Sequence, residues 1–217
     1  MFFSELSYQE IILLMTSLLF SLTVHEYSHA RAAYSLGDFT AFYRNRMNLN
    51  PLNHLDLFGT MALLFIGFGW AKPVPVDLRN LKNPRRDMFL VAMAGPASNF
   101  LLAFLGSLIF NLNFLFGISF FAELVRPLEY FIYVNIMLGI FNLLPLHPLD
   151  GSRVIPLIIK NPTTLMKFQE NAPKVFFILI FMNILSPPFP PILGYMIGYP
   201  SQKVYFILTG SFFSFGG

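Results

Sequence analysis

Cysteine is absent from the 217 residues, which excludes a disulfide framework, a thiolate zinc site and a cysteine nucleophile. Charge is scarce too: Asp, Glu, Lys and Arg make up 12% of the chain, against about 25% in a soluble domain. With 55% hydrophobic residues and a mean hydropathy of +0.61, the chain cannot clothe itself in an ordinary water-facing surface. The same figures exclude disorder, which needs low hydrophobicity and high net charge. The net charge is only +3, and the basic residues sit beside apolar runs, so they read as topology signals rather than a nucleic-acid footprint. An integral membrane protein remains, with room for about four to six membrane segments of ~20 residues.

The first apolar run, Ile11 to Val24, lacks the basic start of a signal peptide, since only Glu5 and Glu10 carry charge before it. It continues into HEYSHARAAYSLGD, and the expectation is a retained helix from Tyr8 to Leu36 with Gly37 as its C-cap. Leu57 to Trp70 is too short to cross and carries Gly59, Gly67 and Gly69, which fits a re-entrant or interfacial element. Residues 39–56, rich in Asn, Pro and aromatics, are expected to be extended or loop. Met88–Leu112 and Leu128–Leu144 read as spanning helices. Val175–Leu185, the SPPFPP at 186–191, Ile192–Ile197 and Tyr205–Phe213 suggest one broken and one short segment.

Lys and Arg concentrate in residues 31–50, 71–87 and 146–174, whereas residues 1–10 have none and 111–127 only Arg126. The positive-inside rule then puts the N-terminus outside and the three basic segments in the cytoplasm. The 57–70 run must therefore enter and leave on one side. The Tyr8–Leu36 and Leu128–Leu144 helices run the same way, bringing His25, His29 and Asp150 to one depth.

His25-Glu26-Tyr27-Ser28-His29 is an HExxH motif. Four residues apart on a helix, the imidazoles share a face and can hold one zinc ion, with Glu26 placed to take a proton from water. Charged residues deep in an apolar helix are costly and usually functional. A third ligand must be His, Asp or Glu. Asp150, in NLLPLHPLDGSR, is the best candidate; Asp56, Glu129 and His147 remain alternatives. His54 suits a loop-ordering role. Asn99, in the small-residue stretch AGPASN, needs a partner for its amide, either a ligand residue or the loop.

The segments HEYSHARAAYSLGD (25–38), NLNPLNHLDLFGT (48–60), GWAKPVPVD (69–77), AGPASN (94–99) and NLLPLHPLDGSRV (142–154) together resemble the site-2 protease family, intramembrane zinc metalloproteases. The likeness is to compact members without a PDZ or other soluble domain. It implies one zinc per chain held by His25, His29 and Asp150, Glu26 as the catalytic carboxylate, and Asn142 as a substrate or oxyanion donor. His147 stands where the family pattern usually has proline; His54, Asn99 and His147 are candidate supporting residues. The expected fold is an all-α polytopic membrane protein with a small extended or re-entrant element after the first helix. It forms one domain over residues 1–217, with a catalytic part at 8–154 and C-terminal membrane segments at 175–217.

The expected reaction is hydrolysis of peptide bonds in or near transmembrane segments of single-span membrane proteins, in a prokaryotic inner or plasma membrane with the active site toward the cytoplasm. Lipid is the other expected partner, and nucleic acid is not one. The rivals are a divalent-metal transporter, against which no inverted repeat is visible, and an inactive homologue that only binds membrane proteins.

Overall fold

The computed structural model describes residues 6–116, 122–185 and 192–215, so the SPPFPP expectation falls outside the described residues. Three described helices are long and apolar enough to cross a membrane: α1 (Tyr8–Ser35), α5 (Pro84–Phe116) and α6 (Ala122–Leu143). At 1.5 Å per residue each exceeds the ~30 Å hydrocarbon thickness. The first begins at a capping box, in which Ser7 Oγ accepts the Glu10 N–H and Glu10 Oε2 accepts the Ser7 N–H. It ends at Leu36, with Gly37 at φ +101° just beyond. Pro84 opens α5, and Asp87 Oδ2 caps it by accepting the Asn83 N–H at 2.8 Å.

The sixth helix is the most enclosed. Its Tyr130, Ile132 and Ile136 are fully buried, packed against Leu14 and Leu18 of α1 and Ala103 of α5. The outward faces carry Phe20, Leu101, Phe104 and Leu108, all exposed, as suits a surface in contact with lipid. Because α1 and α6 run parallel, the end of one and the segment following the other meet at the same end of the bundle.

Between α1 and α5 the chain is more helical than its composition suggested. Residues 39–56 contain two single turns, α2 (Thr40–Tyr43) and α3 (Pro51–His54), rather than only extended chain or loop. Local chemistry explains the second: Asn50 Oδ1 accepts the Leu52 N–H, and Pro51 is preset for a first helical position. Next comes α4 (Leu57–Ile66), whose ten residues rise only about 15 Å. It turns back on itself. Leu55 bridges Ala71, the Lys72 N–H donates to His54 O at 2.8 Å, and a Cβ on Gly59 would lie 2.1 Å from Trp70 O, so only glycine permits the return. The 57–70 run thus starts and finishes at one place, as a re-entrant element must.

The C-terminal third differs from expectation. The helix expected at Val175–Leu185 begins at Pro162 as α8 (Pro162–Ile184), following the single turn α7 (Ile155–Ile158). Asn161 Oδ1 caps it by accepting the Thr163 and Thr164 N–H groups, and its polar first half keeps it out of the apolar spanning class. A π-helical turn (Gly194–Gly198) leads into α9 (Tyr199–Thr209). The expected segment Tyr205–Phe213 is therefore half helix and half tail. The tail folds back: Phe213 stacks on Tyr133 at 4.2 Å, and Gln202 pairs with the Phe213 backbone through two hydrogen bonds.

Candidate metal centre

One turn apart on α1, the buried imidazoles of His25 and His29 meet edge to face with centroids 4.6 Å apart. The Nε2 atoms lie 3.0 Å from each other, and Asp150 Oδ2 lies 3.1 Å from His25 Nε2 and 3.3 Å from His29 Nε2. Asp150 opens a 3-10 turn (Asp150–Val154) after α6. Among the described residues this is the one group of three or more potential metal-binding side chains. It brings Asp150 in and leaves its rivals elsewhere. Asp56 caps α4 by accepting the Gly59 N–H, and Glu129 pairs with Arg126 at the far end of α6.

The hydrogen bonds behind the rings decide what the triangle can hold. His29 Nδ1 is 2.8 Å from Val91 O, which can only accept, so Nδ1 carries a proton and, in the neutral ring that a metal ligand requires, Nε2 keeps its lone pair. His25 Nδ1 is 2.6 Å from Asn99 Oδ1, with the same result. Both imidazoles therefore point lone pairs at a carboxylate oxygen, Asp150 Oδ2, which is buried without a hydrogen-bond partner. Three converging acceptors repel unless a cation lies between them. Their spacings are close to the ~3.3 Å edge of a tetrahedron with ~2.0–2.1 Å bonds, and a His/His/carboxylate set backed by Nδ1–H donors suits zinc. The protein also keeps the space open: a Cβ on Gly95 of α5 would lie 2.5 Å from both Nε2 atoms.

Glu26 is buried beside this group, and its Oε2 accepts the Val74 N–H at 3.0 Å. Val74 belongs to a non-helical segment, residues 71–77, which is held by more than the Leu55–Ala71 bridge and the Lys72 N–H bond to His54 O. Arg46 Nη2 donates to Lys72 O, and the Asp77 N–H donates to Asp38 Oδ2. Burial pushes the Asp38 carboxyl up, but hydrogen bonds from Thr40, Asn80 and Asp77 more than reverse this and hold it below the usual carboxylate range. The half-buried Asp77 is drawn down to about 2, chiefly by the Arg79 side chain.

The remaining expected residues sit farther out. Asn99 is fully buried behind His25. Asn142 is partly buried and donates its amide to Leu138 O, one turn back in α6. His54 is buried, and its Nε2 bonds Asn48 O, which orders the 48–54 turn away from the triangle. His147 lies exposed on the turn before Asp150, outside the converging group, where partial desolvation and Arg153 lower its pKa. Sequence reasoning missed the Val91 carbonyl and the Val74 N–H, because backbone groups leave no motif.

Residues 109–185 match peptidase family M50, a range that includes Asp150. The chain is 42% identical over 178 residues to "Putative zinc metalloprotease YwhC" of Bacillus subtilis, covering 80% of this chain and 81% of the relative. It is 28% identical over 193 residues to "Putative zinc metalloprotease Rip2" of Mycobacterium tuberculosis, covering 86% and 71%. Against the protein of that name from Mycolicibacterium smegmatis the identity is 26% over 210 residues, 95% and 74% of the two chains. No solved structure matches significantly.

Proposed function

This chain belongs to peptidase family M50, the site-2 type of zinc metalloprotease, and from that premise we propose that it hydrolyses peptide bonds in or beside the transmembrane segments of other membrane proteins. The observation that carries this reading is the triangle of acceptors at 3.0–3.3 Å, set within the membrane helices with its donors turned away.

His25, His29 and Asp150 are the residues that would hold zinc. When bound, zinc supplies Lewis acidity toward a carbonyl oxygen and lowers the pKa of water. Glu26 is the general base. The Val74 N–H orients its carboxylate through Oε2, and Oε1 takes the proton of the attacking water and delivers it to the leaving amine. Asn142 would exchange its bond to Leu138 O for one to the carbonyl oxygen as negative charge develops there.

A spanning helix hides its amides in its own hydrogen bonds, so the substrate must unwind before hydrolysis. Residues 71–77 run past Glu26 as a pinned, non-helical segment, a place for an unwound substrate to lie extended. The three basic segments adjoin the metal end of the bundle, which supports an active site facing the cytoplasm of a prokaryotic inner or plasma membrane.

The test uses wild type and Glu26→Gln in liposomes with a panel of single-span peptides, cleavage read by mass spectrometry and zinc assayed in the same samples. Cleavage inside the spanning stretch by wild type alone, with zinc in both, is the expected result. Zinc without cleavage across a broad panel, together with metal flux in the same liposomes, would sink the protease reading.

A further inference from the structure

Behind His25 the hydrogen bonds continue across two helices. Asn99 of α5 accepts from His25 Nδ1 through Oδ1 and donates through Nδ2 to Asn135 Oδ1 at 3.0 Å. Asn135 of α6 in turn donates through Nδ2 to Phe131 O at 2.8 Å. Both asparagines are fully buried. We propose that Asn135 is a positioning residue for the metal, setting the orientation of the Asn99 amide and thereby the ring nitrogen on which His25 carries its proton. This rests on reading His25 as a zinc ligand.

Phe131 O is a backbone carbonyl and only accepts, so Asn135 must turn its NH2 toward it and its Oδ1 toward Asn99. Facing an acceptor, Asn99 presents its NH2 there and its Oδ1 to His25. An acceptor at His25 Nδ1 requires the proton on Nδ1, which leaves the Nε2 lone pair directed at His29 and Asp150.

Reversal of Asn99 would set its oxygen against Asn135 Oδ1 and its NH2 against His25 Nδ1. His25 would then keep its proton on Nε2, pointing it at the metal position. Without Asn135, the other acceptor holding the Asn99 NH2 is Ser21 O at 3.5 Å, the limit of a hydrogen bond. One fixed carbonyl on α6 therefore determines the proton polarity of a ligand on α1, through amides shielded from water that could compete.

The experiment measures zinc affinity by chelator competition for full-length wild type, Asn135→Leu, Asn135→Asp, Asn99→Leu and the Asn99→Leu/Asn135→Leu double variant, each checked for a folded, monodisperse state. Asn135→Leu is expected to weaken zinc about 10–100-fold. Asn135→Asp should restore most of this, because a buried, protonated aspartic acid donates to Phe131 O and accepts from Asn99 as asparagine does. The double variant should be no weaker than Asn99→Leu, since Asn135 acts through Asn99.

Should Asn135→Leu not fold, Asn135→Ala takes its place, and 15N shifts of the His25 ring in that variant should show a mixture of protonation sites where wild type shows Nδ1–H alone. Wild-type affinity in Asn135→Leu, equal losses in the Leu and Asp variants, or additive losses in the double variant would overturn the inference. A wild type that binds no zinc would instead remove the metal reading on which it rests.

Discussion

The two ends of the α1–α6 pair carry polar clusters of opposite character. At the end where both helices begin, Arg126 donates to Glu129, Glu10 and Ser214 O, Tyr130 OH donates to Glu10, and Ser7 caps the same carboxylate. Donors and acceptors alternate, and the Arg126 guanidinium also lies 5.1 Å over the Tyr130 ring. At the other end His25, His29 and Asp150 turn three acceptors on one point and send their donors away. A cluster that closes on itself holds helices together; one left with an excess of acceptors is built for something the chain does not supply.

The largest effects are expected at the open end. Asp150→Ala should weaken zinc by more than the about 10–100-fold typical of an outer-shell change and abolish hydrolysis, while the unfolding midpoint stays near wild type. Gly95→Ala sharpens the point by filling the space between the imidazoles without removing a ligand, and zinc should again be lost. Unaltered binding in either variant, by chelator competition, would mean the triangle is not the metal site. Glu26→Gln comes next: turnover should fall by about 10²–10⁴ or more with zinc content unchanged, and a variant still cleaving at wild-type rate would remove Glu26 as the base.

The closed end predicts the converse. Arg126→Ala leaves Glu10 and Glu129 without their shared cation and should cost about 1–3 kcal/mol in reversible detergent unfolding, with zinc affinity unmoved. A variant that lost zinc but kept its stability would invert the assignment of the two ends.

The smallest effect concerns the segment beside Glu26. The Asp38 and Asp77 carboxyls are both depressed in the folded state, so their contribution is present above the ordinary carboxylate pKa of about 3.9 and is lost as pH falls toward about 2. Trp70, the sole tryptophan, adjoins this segment, and its emission should shift in that acid window before the helical circular dichroism changes. Simultaneous loss of both signals would show that 71–77 does not loosen independently.

Much of the site was legible because its first part is local. HExxH needs only the 3.6-residue period to place His25 and His29 on one face, and the direction of α1 and α6 followed from where lysine and arginine cluster. The shortness of 57–70 likewise announced its return. The C-terminal third was less readable. The Asn161-Pro162 pair is a local helix-start signal for α8, thirteen residues before the apolar run, which a reading by hydropathy passes over. Nothing local says that Phe213 folds back onto Tyr133, since ring stacking depends on what else is nearby. The turns at Thr40–Tyr43 and Pro51–His54 escaped notice for a similar reason, being too short to show a period.

Composition by itself made this a membrane protein, and spacing by itself made two histidines and a glutamate a candidate centre, because hydropathy and helical period are properties of neighbouring residues. The sequence already ranked Asp150 ahead of Asp56 and Glu129, and tertiary structure brought its carboxylate within 3.1–3.3 Å of both imidazoles. Tertiary structure also set the Val74 N–H on Glu26 and directed the proton of each imidazole away from the metal position. Those choices belong to groups far apart in the chain, and a hydrogen bond or a shared ion has no direction until the packing of α1, α5 and α6 brings its partners together.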